Sequence, residues 1–223
     1  ADLEVHNRTG HKLPTSFPSR RMWIHLTVTD SQGRVLFESG AVDERGRLVM
    51  GARPLREECL SVEKPTGFTN AGCYEPHRDR IDAEGEVAVY EAVLGDVNGE
   101  ITHVLLHADT YLKDNRIPPE GFTESGPAFV PDTAVAGRAR EDADFNGSAS
   151  TEGTGRDVVH YRVPVQGGEG ALTVEAELLY QSIRPSFVDG LHGQAAKVEE
   201  FRAMYGSMPP VPERMAVVER TLR

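Results

Sequence analysis

Hydrophobic and polar residues alternate with a period of two along most apolar parts of the chain. In the segment 22–30, Ile24, Leu26 and Val28 fall on one face, and His25 and Thr27 fall on the other. Successive side chains of a β-strand point to opposite faces, so this pattern predicts a strand with one buried face. The same reasoning predicts strands over 35–37, 86–94, 101–108, 158–165 and 171–182.

Short polar turns separate several of these predicted strands. The turn 30–33 (D-S-Q-G) joins 22–30 to 35–37, and 96–99 (D-V-N-G) joins 86–94 to 101–108. A glycine-rich segment, 166–170 (Q-G-G-E-G), joins 158–165 to 171–182. Turns of this composition favour hairpins, so each of the three pairs is predicted to be antiparallel.

Helical character is confined to the C-terminal part of the chain. Good helix formers fill 187–204, before Gly206 and a run of prolines end the pattern. The segment 215–222 favours a strand, and 51–82 and 115–156 are long irregular loops. We therefore predict a single all-β domain over residues 1–223, a two-sheet antiparallel β-sandwich (Ig/jelly-roll-like) with long loops and a peripheral C-terminal helix.

Charge and hydropathy narrow the classes of partner. The chain carries 24 Lys and Arg against 35 Asp and Glu, a net charge of −11, so it is expected to repel nucleic acid phosphates. No apolar run approaches the roughly 20 residues of a membrane span. The chain begins at Ala1 without a Met or a leader, which suggests a piece of a longer, processed protein.

The two cysteines, Cys59 and Cys73, belong to no C-x-x-C-H or C-x-x-C motif. The first motif attaches haem and the second is typical of zinc sites. In an oxidising compartment a disulfide between them would close a polar loop and stabilise the fold by about 3 kcal/mol. In a reducing compartment they would be two thiols. We favour the disulfide, because the intervening segment is polar and needs restraint.

Four stretches, in order along the chain, resemble elements of one family. They are N-R-T-G-H-K-L-P-T at 7–15, E-P-H at 75–77, K-D-N-R-I-P-P-E-G-F at 113–122 and L-L-Y-Q-S-I at 178–183. They are similar to the haem-free C-terminal β-sandwich domain of multihaem c-type cytochromes. Ser16 departs from that family's pattern, which has a glycine there.

This resemblance implies a non-enzymatic structural and docking domain of a periplasmic or extracellular electron-transfer protein. Its expected partner is the haem-bearing domain of the same polypeptide, together with other redox proteins. No C-x-x-C-H motif occurs in the chain, so we expect no covalent haem on it and place the haem in the missing portion.

His11, within the first of these stretches, is the candidate cofactor-binding residue. It could act as the distal axial ligand of a haem in the parent protein, because imidazole suits haem iron and Pro14 stiffens the loop. Alternatively, His11 fastens its own turn by hydrogen bonds. His77 has the same two interpretations.

A second candidate site is acidic. The segment 142–148 (D-A-D-F-N-G-S) offers oxygen ligands at alternate positions, as the first half of an EF-hand loop does, although it lacks flanking helices. We predict a calcium site here; the alternative is a solvated acidic turn. The proposed ligands are Asp142, Asp144, Asn146 and Ser148, with Glu152 or Asp157 closing the shell.

Catalytic motifs are not found in the sequence: it has no G-x-S-x-G, H-E-x-x-H or phosphate-binding loop. A calcium-stabilised secreted module that binds carbohydrate or a cell surface is the alternative function. Such a module needs exposed aromatic side chains, and the single tryptophan, Trp23, lies in a strand that is expected to be buried.

Overall fold

A computed structural model describes residues 1–15, 17–55, 74–127, 129–147, 151–191 and 195–222. The strands in these parts of the chain are β1 Asp2–His6, β2 Arg21–Thr29, β3 Val35–Ser39, β4 Val49–Met50, β5 Arg53–Pro54, β6 Arg80–Ile81, β7 Val89–Gly95, β8 Thr110–Asp114, β9 Arg156–Tyr161, β10 Leu172–Gln181 and β11 Glu213–Leu222. The helices are α1 Pro185–Asp189 and α2 Ala196–Ser207.

Two sheets form the framework, which confirms the predicted β-sandwich class. The larger sheet has the strand order β11-β10-β2-β7-β8, and β3 pairs with β2. The smaller sheet has the order β1-β9-β6, and β4 and β5 form a separate two-stranded ribbon. The pairs are antiparallel except β6–β9, which is parallel.

The main core lies between the two sheets. Val159 and Tyr161 of β9 belong to one buried cluster with Met22, Ile24 and Leu26 of β2. This assigns the alternating apolar residues of β2 to the inner face, as the sequence pattern predicts. A second cluster, made by Trp23, Leu48, Leu55, Val87 and Val89, covers the opposite face of β2 and β7.

One strand prediction and one hairpin prediction are wrong. The segment 101–108 forms an isolated bridge at Ile101 and a 3-10 helix at Leu105–His107, because its apolar side chains have no sheet to cover them: Leu106 is 95 % exposed. The strand that pairs with β7 is instead β8, which follows the segment 101–108. The hairpin between 158–165 and 171–182 is also absent, since β9 pairs with β1 and β6 while β10 pairs with β2 and β11.

The C-terminal part of the chain contains two helices, where the sequence predicted a continuous one over 187–204. Pro185 begins α1, where a proline is well tolerated, and Gly190 follows its last residue. Helix α2 then runs to Ser207, just before Pro209. The strand predicted at 215–222 is confirmed as β11, the last strand of the larger sheet. Within the described residues, no helix is both long and apolar enough to cross a membrane.

Candidate functional site

The loop that carries His11 is held by the buried side chain of Asn7. The Nδ2 group of Asn7 donates to the carbonyl oxygens of His11 and Ile117, both at 2.8 Å. Its Oδ1 accepts hydrogen bonds from the backbone N and the hydroxyl of Thr9, at 2.9 and 2.8 Å. Asn7 therefore uses both ends of its amide to fix the turn.

The same loop packs against the stretch that follows β8. Leu13 and Ile117 exchange backbone hydrogen bonds of 2.9 and 2.8 Å. Lys12 Nζ donates to Asp114 Oδ2 at 2.8 Å, and Arg116 donates to the same carboxylate. The structure thus brings together two stretches that carry the family resemblance, 7–15 and 113–122.

The orientation of the His11 ring leaves one nitrogen free. Its Nδ1 lies 3.0 Å from the carbonyl oxygen of Lys12, which can only accept, so Nδ1 carries the proton. The lone pair is then on Nε2, for which the described residues provide no partner. His11 is exposed, and an imidazole held through Nδ1–H is suited to bind a metal through Nε2.

The predicted calcium ligands separate into two groups. Asn146 and Glu152 accept hydrogen bonds from backbone groups: Asn146 Oδ1 accepts from Gly155 N at 3.1 Å, and Glu152 Oε1 accepts from Glu124 N at 2.6 Å. Asn146 also has a φ of 58°, a conformation that asparagine tolerates better than most residues. The other group, Asp142, Asp144 and Asp157, enters two histidine-containing clusters. Ser148, Cys59 and Cys73 lie outside the described residues.

The inner cluster is formed by His77, Asp142 and Asp157, whose candidate ligand atoms lie within 4.8 Å of one another. His77 Nε2 is 2.7 Å from Asp142 Oδ2, and its ring packs edge-on against Phe145.

The tautomer of His77 follows from its neighbour Asn115. Asn115 Oδ1 accepts from Glu91 N at 2.9 Å, and its Nδ2 donates to Val89 O at 2.7 Å and to His77 Nδ1 at 3.1 Å. Because the backbone contacts fix the amide orientation, His77 Nδ1 must accept and Nε2 must carry the proton. His77 therefore donates through Nε2 to Asp142, and both of its ring nitrogens are engaged in hydrogen bonds.

Asp157 is the most deeply buried member of the inner cluster. Tyr90 donates its hydroxyl to Asp157 Oδ2 at 2.6 Å, whereas the buried Oδ1 has no hydrogen-bond partner. Burial raises the pKa of Asp157 to about 6; the charge of Asp142 adds to this, while His77 and Tyr90 oppose it. An ionised carboxylate here lacks compensation for one of its oxygens.

The outer cluster is formed by Asp79, Asp144 and His160, again with ligand atoms within 4.8 Å. His160 Nε2 lies 3.0 Å from Asp144 Oδ2 and 3.7 Å from Asp79 Oδ1. Its Nδ1 lies 2.8 Å from Asp2 Oδ1. The backbone determines this grouping. His160 on β9 lies opposite Asp2 on β1 in the strand register, and the backbone N–H of His160 donates to the backbone carbonyl of Asp79.

The sequence does not predict that His77, Asp79 and His160 lie beside the acidic residues of the 142–148 segment. His77 was singled out only as a haem-ligand candidate, and Asp79 and His160 were not singled out. The available signal was a shared short spacing: His77 and Asp79 are two positions apart, as are Asp142 and Asp144. Nothing local in the sequence indicates that these pairs meet.

A further buried polar group surrounds Glu91, the residue after Tyr90 on β7. Glu91 Oε1 accepts from Lys113 Nζ at 3.0 Å, and Arg184 donates to Oε2. Burial alone would raise the pKa of Glu91, but the charges of Arg184, Lys113 and Arg21 together hold it below its ordinary value. This group is structural, since all of its members are buried.

Comparison with known proteins adds one distant similarity. No protein-family model matches the chain, and no curated protein matches it. The chain is similar to a solved structure described as a penta-heme cytochrome c552 from Thermochromatium tepidum, with 19% sequence identity and a TM-score of 0.42. The match covers 99% of this chain and 35% of that one, so the chain spans about a third of that cytochrome's length.

Proposed function

We propose that the chain is a haem-free β-sandwich domain of a periplasmic or extracellular multihaem cytochrome c. In this role it packs against the haem-bearing part of the same polypeptide, and His11 provides a distal ligand to one haem iron. The domain itself performs no catalysis. The supporting residues are those of the sequence resemblance, 7–15 and 113–122.

The observation that carries the proposal is the geometry of His11. Its ring is anchored through Nδ1–H to the backbone, and its Nε2 is exposed and has no partner among the described residues. Asn7 and Thr9 hold the loop from within, so little conformational freedom remains to be lost when the ring binds iron. A haem bound there would supply the electron-transfer chemistry, and the loop would determine where the imidazole stands.

The test uses the full-length parent cytochrome and the substitution His11→Ala. We expect one low-spin haem to become high-spin in the EPR spectrum, because the iron loses an axial nitrogen. His107→Ala is the matched control, since His107 is also exposed but lies in the 3-10 helix away from this loop. An unchanged spectrum for His11→Ala would mean that His11 only fastens its turn.

The alternative carbohydrate-binding function has less support. Trp23 has 0 % exposure and donates its indole N–H to Gly40 O at 2.8 Å, so it cannot stack on a sugar ring.

A further inference from the structure

Strand β1 is the outer strand of the smaller sheet, and one side of its backbone faces away from that sheet. Ala1 and Tyr161 exchange backbone hydrogen bonds of 2.8 Å in both directions, and Asn7 N donates to Gly155 O, also at 2.8 Å. In an antiparallel pair, residues that bond to the partner strand alternate with residues that do not. Three residues of β1 therefore direct their N–H and C=O groups away from β9: Asp2, Glu4 and His6.

These outward groups form an unpaired strand edge. Within the described residues, β9 is the one strand that pairs with β1, and the outward N–H and C=O groups have no other backbone partner. Such an edge offers alternating donors and acceptors at the spacing of a strand. The group that fits it best is therefore another stretch of extended backbone.

The larger sheet extends beyond this edge. Val218 and Leu222 of β11 lie opposite Ala176 and Leu172 of β10, which belong to the main core or pack against it. Directly opposite residues share one face of a sheet, so Val218 and Leu222 lie on the core-facing side. They are nevertheless 37% and 50% exposed, which shows that the described part of the smaller sheet does not cover β11.

A groove results from these two features. Val5 of β1 packs in the main core with residues of β2, so β1 lies above the inner strands of the larger sheet. Beside it, two cavities of about 220 and 270 Å³ follow one another between β1 and the pair β10–β11. Leu3 and Val218 line the first, and Ala1 and Leu222 line the second. The uncovered floor is one strand wide, since only β11 extends past β1.

Arg220 places one positive charge on the floor of the groove. It lies opposite Val174 of β10, which packs against the main core, so its side chain is on the core-facing side of β11. Its guanidinium donates to the carbonyl oxygen of Glu219 at 3.0 Å and has no carboxylate partner in the described part of the chain. The other arginine of β11, Arg214, pairs with Glu177. A carboxylate in the groove would complement Arg220.

We propose that the groove binds an extended segment of a partner polypeptide, which adds a fourth strand to the smaller sheet beside β1. The segment pairs its backbone with the outward groups of β1, and its alternate apolar side chains cover Val218 and Leu222. One acidic side chain between them faces Arg220. In strand addition, main-chain hydrogen bonds provide affinity and alternate side chains provide specificity. The proposal does not depend on the haem-related docking function.

A second copy of the chain is not the occupant that this geometry favours. Antiparallel pairing of two β1 strands about a two-fold axis keeps both larger sheets on the same side. The strands beneath β1 of the second copy would then occupy the space of β11 in the first. The groove has room for a single strand that brings no sheet of its own.

The experiment is an NMR titration of the ¹⁵N-labelled chain with two acetylated, amidated peptides, T-V-K-V-T-E-K-V-T and the same sequence in reverse, which cover the two possible strand directions. Their inward valines and glutamate match the floor, and their lysines keep them soluble. We expect one peptide to bind and the amide exchange of Glu4 and His6 to slow by at least about tenfold at saturation. The amide of Val5, which points to β9, should change little.

Val218→Lys should raise the dissociation constant of that peptide by more than about tenfold, because it places a charge under the apolar side chains. Val217→Lys is the matched control: Val217 lies opposite Glu177, on the other face of β11, and its substitution should leave binding unchanged. Replacing the glutamate of the peptide by glutamine should weaken binding by about threefold, and Arg220→Gln should abolish this difference. Both valines are exposed, and circular dichroism verifies the fold of each variant.

Four results would overturn the proposal. They are the absence of binding by both peptides, equal binding by the wild type and Val218→Lys, slow amide exchange of Glu4 and His6 in the chain alone, and protection of these amides that rises with chain concentration. The third result would mean that the chain itself covers the edge, and the fourth that a second copy does.

Discussion

Strand β7 serves two buried polar regions of opposite charge through consecutive residues. Tyr90 faces the space between the sheets, where its hydroxyl donates to Asp157. Glu91 points to the other face, where it meets Lys113 and Arg184. The surroundings of Glu91 contain more cations than anions, whereas those of Asp157 contain a surplus of carboxylates.

The difference shows how unequally the backbone can compensate the two kinds of charge. Lys113 Nζ, besides its bond to Glu91, donates to the carbonyl oxygens of Val89 at 2.9 Å and Glu75 at 2.6 Å. Arg21 likewise donates to Gly46 O at 2.9 Å. Buried cationic groups that outnumber the nearby carboxylates thus donate to backbone carbonyl oxygens, and every residue provides one such acceptor. Surplus carboxylates need N–H or O–H donors or a cation, and Asp157 keeps one oxygen without either.

The largest effect should come from removing the negative charge of Glu91. Glu91→Gln leaves Arg184 and Lys113 buried without a counter-charge, so the free energy of unfolding should fall by about 3–5 kcal/mol. Urea unfolding measures it. Glu219→Gln, on the exposed strand β11, should change stability by less than about 0.5 kcal/mol. A loss for Glu91→Gln no larger than that of Glu219→Gln would contradict the assignment of Glu91 as the charge that holds this region.

The same carboxylate predicts a dependence on pH. The pKa of Glu91 in the folded chain is below its ordinary value of 4.5, so its contribution is complete above pH 4.5 and is lost as the pH falls through the folded value. Each additional proton bound on unfolding changes stability by about 1.4 kcal/mol per pH unit. Urea midpoints between pH 7 and pH 3 should therefore fall more steeply for the wild type than for Glu91→Gln. Parallel curves would show that Glu91 does not titrate differently on folding.

Asp157→Asn should have a smaller effect of the opposite sign. This substitution removes one of the repelling carboxylates and adds an amide donor near Asp142, so we expect a gain of about 1 kcal/mol. Thermal unfolding of the wild type and the variant measures it. Destabilisation would show that the hydrogen bond to Tyr90 outweighs the repulsion.

Local pattern was sufficient for some elements and not for others. The hairpin of β2 and β3 was predicted because the alternation of Ile24, Leu26 and Val28 and the turn before Val35 act within a few residues. The pairing of β9 with β10 was predicted for the same reason and is wrong, because each strand finds its partners in a different sheet. A glycine-rich connection permits a hairpin without requiring one.

In the candidate sites, too, short-range sequence patterns predicted some features and not others. The spacing of Asp142 and Asp144 identified them as potential ligands, but their structural partners His77 and His160 come from distant segments brought together by β6 and β9. The exposed nitrogen of His11 likewise depends on which way its ring is held by the carbonyl of Lys12. Neither fact is encoded in short-range spacing, because both depend on tertiary contacts.

Strand β11 has a consequence for self-association. It is an exposed edge of ten residues with a central apolar run, Met215–Val218, between charged residues at both ends. Two copies related by a two-fold axis could align these runs best with Ala216 opposite Ala216, or with Val217 opposite Val217. The first register places Glu213 against Glu219, and the second places Arg214 against Arg220. Like charges therefore meet in either case, which discourages edge-to-edge aggregation and makes these four positions the ones to preserve in any engineered variant.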